Sequence, residues 1–161
     1  MSDIEIPTKV SDIMTRKVIT LGENQTVEKV EQSMDTFRFR HLPVVRGTKL
    51  VGLISHRDML QVSSSSLSSE RDVRDQLIHQ VPAKRIMRTE VVTLSPDDSI
   101  IAAGEQMWDM KVGCLCVTDD DDNLLGIVTE ADFVRLAVQL VKHLTTPKPP
   151  TKPPSRAPAD D

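Results

Sequence analysis

The sequence predicts an α+β fold made of two copies of one β-α-β-β-α unit, and three observations predict it. The chain repeats itself: the stretch from Val10 to Val62 returns in altered form from Val81 to Val138. Ile13-Met14 recurs as Ile86-Met87, Ile19-Thr20-Leu21 as Val92-Thr93-Leu94, and Gly52 and Asp58 as Gly126 and Asp132. Self-similarity in both phase and chemistry over about 55 residues marks a duplicated structural unit. Within each copy, strand-like and helix-like periodicities alternate in the same order. Finally, each half of roughly 60 residues buries too little surface to stand comfortably alone, so the copies are expected to pack on each other and share a core.

Composition narrows the class. The 161 residues are 39% apolar but only 2% aromatic, so the core must come from Val, Ile, Leu and Met. A net charge of −4 argues against a nucleic-acid surface, which needs a basic face, yet leaves room for a small anionic ligand beside a local arginine. Cys114 and Cys116 are the only cysteines, and neighbours on one strand are badly placed for a disulfide. Reduced thiols and a cytoplasmic setting are the expectation. With no apolar run of about 18 residues and no basic-then-apolar start, a soluble protein without a membrane partner is expected.

The elements follow in order. Ser11 to Met14 reads as a brief helical turn and Lys17 to Leu21 as a short β-branched strand, broken by Gly22-Glu23-Asn24. Val27, Val30, Met34 and Phe37 form one stripe of an amphipathic helix. His41–Val45 and Lys49–Ile54 are apolar strands around a short hairpin turn, and Pro43, lacking an N–H, marks an edge or an unpaired position. A second helix begins near His56. Six serines among residues 63–69 form a linker, followed by a helix over Glu70–Gln80 with Val73, Leu77 and Ile78 inward.

The second copy has a strand at Glu90–Leu94, a helix from Pro96 to about Lys111, strands at Gly113–Thr118 and Leu124–Val128, and a last helix from Glu130 to about His143. Phe133, Leu136, Leu140 and Val141 give that helix its apolar face. From Thr145 onward the proline-rich sequence predicts a disordered tail. The expected divisions are 1–62 for the first repeat with its lead-in, 63–80 for the linker and short helix, 81–144 for the second repeat, and 145–161 for the tail.

Two tetrads carry the sharpest local chemistry, Ser55-His56-Arg57-Asp58 and Thr129-Glu130-Ala131-Asp132, each where a strand becomes a helix. One reading is a capping box, common at the start of ordinary helices. The other uses the same geometry for a ligand. Free backbone N–H groups and a hydroxyl can receive phosphate oxygens, a carboxylate one turn in can accept from ribose hydroxyls, and Arg57 can add a bidentate phosphate contact. Arg38, Arg40 and His41 stand at the mouth of an apolar strand, either as a cationic rim for a nucleotide or as solvated side chains. His41, Cys114 and Cys116 fall short of the four ligands of a structural zinc site, and core filler is the default for the thiols. No catalytic constellation and no glycine-rich phosphate loop is present, and the acidic turn Asp119–Asp122 lacks the spacing of a calcium loop.

Taken together, DIM near the start, HLPVV in the middle and GLISHRD or GIVTEAD at the end of the doubled unit resemble a pair of CBS (cystathionine β-synthase-type) domains, a Bateman module, from about Val10 to Val138. The resemblance implies two pseudo-twofold-related repeats packed through their sheets and no catalysis. It implies a regulatory sensor that binds AMP, ADP, ATP or S-adenosylmethionine in clefts between the repeats and commonly forms a homodimer. By position, Ser55/Asp58 and Thr129/Asp132 would hold phosphate and ribose, and Leu53 and Ile127 would line the adenine pocket. Arg57 and Ala131 precede each aspartate, while Phe39-Arg40 and Val112-Gly113 enter the middle strands. Each cleft should pair one repeat's tetrad with the other's middle segment: Thr129/Asp132 with Phe39/Arg40, and Ser55/Arg57/Asp58 with Val112/Gly113. The second copy has Gly113-Cys114-Leu115-Cys116 where the first has Arg40-His41-Leu42-Pro43, so the clefts should differ. A ligand-independent dimerisation scaffold, with both tetrads as caps, is the alternative reading, and a metal or redox sensor at His41, Cys114 and Cys116 is a third.

Overall fold

The computed structural model describes residues 6–64 and 77–145. Most of the serine linker, the first part of the helix expected over Glu70–Gln80, and the tail from residue 146 lie outside the described residues. The first half runs α1 (Val10–Ile13), β1 (Leu21–Gly22), α2 (Val27–Phe37), β2 (His41–Arg46), β3 (Lys49–Ser55) and α3 (His56–Ser64). The second runs from a 3-10 turn (Ala83–Arg85) through β4 (Thr93–Leu94), α4 (Ile100–Met110), β5 (Cys114–Thr118) and β6 (Leu124–Thr129) to α5 (Glu130–Thr145). Each half holds a three-stranded sheet, ordered β1-β2-β3 and β4-β5-β6, with the first pair parallel and the second antiparallel. The α+β fold with a repeated β-α-β-β-α order is present.

Local sequence explains the elements. On α2 the apolar stripe buries Val27, Val30 and Met34, and on α4 it buries Ile100, Ala103 and Met107. Both helices stop the same way. Arg38 and Lys111 turn into the left-handed region (φ 55° and 56°) and donate their N–H to Met34 O and Met107 O. The last residue of each stripe, Phe37 and Met110, is left half exposed. The β2–β3 turn uses Gly47 at φ +64°, open to glycine at no steric cost.

Pro43 is fully buried in a central strand, not at an edge. Its neighbour across the ladder, Leu53, sends both its N–H and its carbonyl away from β2 to Arg88, so the Pro43–Leu53 pair exchanges no bonds. On its other side β1 reaches only Val44 and Val45. No ladder bond on either side therefore uses the nitrogen of Pro43, which is the unpaired position its chemistry requires.

Several elements differ from expectation. β1 and β4 keep only two residues each, because only those reach a partner on the middle strand. α3 continues to Ser64, and α5 continues to Thr145. On α5, Phe133 and Leu136 pack on the core, but Val141 points outward with Val134, Val138 and Leu144. Leu77 is also exposed, while Ile78 packs inward.

The core is not one but two clusters, and the sharing takes the form of an exchange. Val10, Ile13 and Met14, at the start of the first repeat, pack with Leu94, Ile100, Leu115 and Val128 of the second. Ala83, buried completely, together with Ile86 and Met87, packs with Val27, Leu42 and Ile54 of the first. Backbone pairs fix each crossing: Thr15 exchanges both bonds with Ile127 (2.9 and 3.0 Å), and Arg88 exchanges both with Leu53 (2.9 and 3.0 Å). Further bridges, Lys9–Ser99 and Thr26–Pro82, stand in corresponding positions of the two halves. The crossings are thus related by the pseudo-twofold axis, and the two halves also touch at the starts of β3 and β6, where Lys49 bridges to Asn123.

Glycine is required at each crossing. A Cβ on Gly52 would strike the Met87 sulfur and stand 3.0 Å from Arg88 O, and one on Gly126 would stand 2.8 Å from Met14 Sδ and 3.0 Å from Thr15 O. The carbonyls belong to paired backbone and cannot retreat without opening the crossing. Gly52→Ala is therefore expected to destabilise by about 1–3 kcal/mol, as overpacking does. Gly22→Ala, where the nearest atom would be 3.8 Å away, serves as the control in the same thermal or urea unfolding series.

Candidate ligand-binding cleft

The passage from β3 into α3 places Ser55 at the helix entrance and Asp58 one turn in. Ser55 donates its N–H (2.8 Å) and its hydroxyl (2.6 Å) to Asp58 Oδ2, and Asp58 N–H donates back to Ser55 Oγ at 3.3 Å. The capping box is therefore formed. The other carboxylate oxygen, Oδ1, accepts Nε–H and Nη2–H of Arg88 at 3.0 and 2.8 Å. Burial acts to raise the Asp58 pKa, but the bonds from Ser55 and then from the Arg88 guanidinium outweigh it and hold the carboxyl below its usual range.

The second tetrad has the same cap and a different partner. Asp132 Oδ2 accepts from Thr129 N–H and hydroxyl, both at 2.8 Å, and Oδ1 accepts from Arg135 Nη2 at 2.7 Å. Arg135 lies on the same helix, whereas Arg88 comes from the lead-in of the other repeat.

A cleft of about 940 Å³ opens beside Asp58. Ser55, Arg57, Asp58, Leu53, Val112 and Gly113 line it, as the pairing of the first tetrad with the second middle segment requires. Phe39 and Arg40 line this same cleft, although that pairing assigns them to Thr129 and Asp132. Ile127, Thr129, Ala131 and Asp132 lie outside it. The floor is apolar (Leu53, Val91, Val92, Val112) and the rim is cationic, with Arg38, Arg40 and Arg57 in no ion pair among the described residues. A cleft of this size, with apolar and polar lining in near-equal share, suits a nucleotide-sized molecule that carries both an apolar base and charged groups.

The match to known proteins settles the family. The CBS domain family matches residues 10–65 and 83–139, both copies of the repeat. The chain belongs to the CBS domain family. A solved structure of a putative acetoin utilization protein (AcuB) from Vibrio cholerae is 32% identical, with a TM-score of 0.73 over 88% of this chain and 98% of that one. The CBS domain pair of protein MJ0100, solved in complex with 5′-methylthioadenosine and S-adenosyl-L-methionine, is 25% identical with a TM-score of 0.68, over 81% of this chain and 99% of that one. An uncharacterized protein of Methanocaldococcus jannaschii, MJ0188, is 29% identical over 140 residues, 87% of this chain. The chain spans less than half the length of the curated relatives it matches first: 46% of MJ0188 and 24% of two homoserine O-acetyltransferases.

In this CBS pair several lining residues escape a motif-by-motif reading, among them Arg88, Glu90, Lys111 and Glu130. Arg88 was signalled only by its place just after Ile86-Met87, and its role depends on the exchange of lead-ins. The middle segments meet at the cleft, where a Cβ on Gly113 would stand 2.9 Å from His41 Cε1 and 3.6 Å from Glu130 Oε2. Glycine is what lets the imidazole approach. Both thiols are buried, and burial pushes each up to about 12, so neither is a thiolate at neutral pH. Among the described residues no group of three His, Cys, Asp or Glu side chains is arranged to hold a metal ion.

Burial lowers the His41 pKa, assisted by Arg40, and outweighs the opposing charges of Glu130 and Asp58. Folding thus favours the neutral ring. That contribution is whole above the unfolded value of about 6.5 and is lost as pH falls from there towards the folded value. The melting temperature should therefore drop on acidification from pH 7.5 through about pH 6, and His41→Gln should flatten that limb of the curve.

Proposed function

We propose that this chain is a non-catalytic regulatory module that binds an adenosine ligand (AMP, ADP, ATP or S-adenosylmethionine) in the cleft beside Asp58. The observation that carries the reading is the convergence in one cleft of a helix-entrance hydroxyl and carboxylate, an apolar floor and uncommitted arginines. The adenosine compounds bound by the MJ0100 pair lend it support. In this reading Leu53 and Val112 contact the adenine, and Ser55 and Arg57 receive phosphate. Asp58 receives the ribose, and Phe39, Arg40 and Gly113 close the cleft. Thr129, Asp132, Ile127 and Ala131 would form a second, weaker site, since Ala131 supplies no cation. Output then follows from a difference in ligand affinity between two states of the module or its partner.

The satisfied caps at both tetrads favour a second reading, the ligand-independent scaffold. Calorimetric titration of AMP, ADP, ATP and S-adenosylmethionine into wild type, Asp58→Ala and Asp132→Ala separates the two. The sensor reading expects one ligand to bind, with Asp58→Ala weakening it by roughly 100-fold, as loss of a charged hydrogen-bond partner does. No binding even at high ligand, with both substitutions only lowering thermal stability, leaves the scaffold.

We also propose that the module acts as a homodimer in the cytoplasm, as reduced buried thiols suit. Ile101 and Trp108 on α4 are 70% and 74% exposed, and Gly104 between them lets Phe133 bring α5, with exposed Val134 and Val138, alongside. The corresponding positions of α2 are Glu28, Glu31 and Asp35, so an apolar face on one repeat matches an acidic one on the other. Two copies meeting through their second repeats bury apolar surface on both sides, while a head-to-tail contact sets it against carboxylates. Trp108→Glu is expected to shift the mass measured by light scattering from dimer to monomer.

A further inference from the structure

The partner of Asp58 decides what kind of adenosine ligand the cleft accepts. An ionised carboxylate offers about four acceptor sites, and all four are taken: two by the Ser55 N–H and hydroxyl, two by Arg88 Nε–H and Nη2–H. The Ser55 bonds are local and hold the start of α3. A ribose diol seeking Asp58 must therefore displace Arg88. The Asp58 side chain is 10% exposed, whereas that of Arg88 is 62% exposed and lines the cleft, so it has room to move. Its backbone does not need to follow, because the N–H and carbonyl of Arg88 stay paired with Leu53.

Displacement has a cost that depends on the ligand. A guanidinium removed from a carboxylate and left unpaired at a partly apolar wall loses a two-pronged charged bond. A ligand carrying both a diol and a phosphate replaces each half of the broken pair, the diol taking Asp58 and the phosphate taking Arg88. An uncharged nucleoside replaces only one. Resting on the adenosine-ligand reading above, we propose that Arg88 is the specificity-determining residue of this cleft, exchanging Asp58 for a ligand phosphate and so selecting nucleotides over uncharged nucleosides. The other repeat is built differently: Thr15 stands where Arg88 would, and Asp132 Oδ1 takes a single bond from Arg135 of its own helix.

The test is calorimetric titration of AMP and of adenosine into wild type, Arg88→Ala and Arg88→Gln, with thermal unfolding confirming that the variants fold. In wild type AMP should bind at least about tenfold more tightly than adenosine, as one charged bond pair implies. In Arg88→Ala the two affinities should move in opposite directions, AMP weakening and adenosine strengthening. Arg88→Gln, which keeps a neutral donor near Asp58, should fall between. An unchanged AMP-to-adenosine ratio overturns the proposal, and so does AMP weakening while adenosine stays constant, which would make Arg88 a phosphate contact without exchange. If neither compound binds any of the three proteins, this inference is overturned, while the adenosine-ligand reading falls only if ADP, ATP and S-adenosylmethionine also fail to bind wild type.

Discussion

Each repeat of this CBS pair is closed by a piece of the other. The lead-in that precedes β1 leaves its own sheet and seals the core under α4 and α5, while the lead-in that precedes β4 does the same under α2 and α3. A half of this size buries only a marginal amount of apolar surface by itself. Lending Val10, Ile13 and Met14 outward and receiving Ala83, Ile86 and Met87 in return solves that for both halves at once. The close approach of Gly52 and Gly126 to the opposite lead-in follows, since two backbones pair there in both directions. So does the position of Pro43: its cross-strand partner Leu53 turns its hydrogen bonds outward to the crossing.

The same exchange builds the cleft. Because Arg88 in the lead-in of one repeat pairs with Leu53 in β3 of the other, Arg88, Val91 and Val92 line the same cleft as Ser55 and Asp58. The fold thereby couples the site to the joint between the repeats. A change at Asp58 is felt by Arg88, whose backbone is part of the crossing. Each tetrad forms a capping box that presents a hydroxyl and a carboxylate at a helix entrance, the groups a phosphate and a diol would use.

The two halves are alike in backbone and unlike in charge. Arg40, Arg57 and Arg88 gather at one cleft, while Gly113, Ala131 and Thr15 hold the matching places in the other repeat. Outside, Glu28, Glu31 and Asp35 correspond to Ile101, Gly104 and Trp108. Duplication preserved the residues that close cores and crossings, where a change of volume or a Cβ would cost stability directly. It left the cleft and outer faces free to diverge, since solvent tolerates either chemistry there.

The sequence by itself determined the duplication, the order of elements in each half, the buried stripes of α2 and α4, and both helix-entrance tetrads. The duplication is legible because the chain matches itself, and the rest depends on neighbours within a few positions, whose spacing reports the period of the backbone. Only the tertiary structure decided that the cores are two and exchanged, that β1 and β4 shrink to the residues that meet a partner, and that the α5 stripe from Val134 to Leu144 faces outward. It also decided that Phe39 and Arg40 share a cleft with Ser55 and Asp58, and that Arg88, thirty positions from Asp58, occupies its second oxygen. Such partners are set by where a strand edge lies open and which chain reaches it. That is a property of the packed whole, and no local spacing records it.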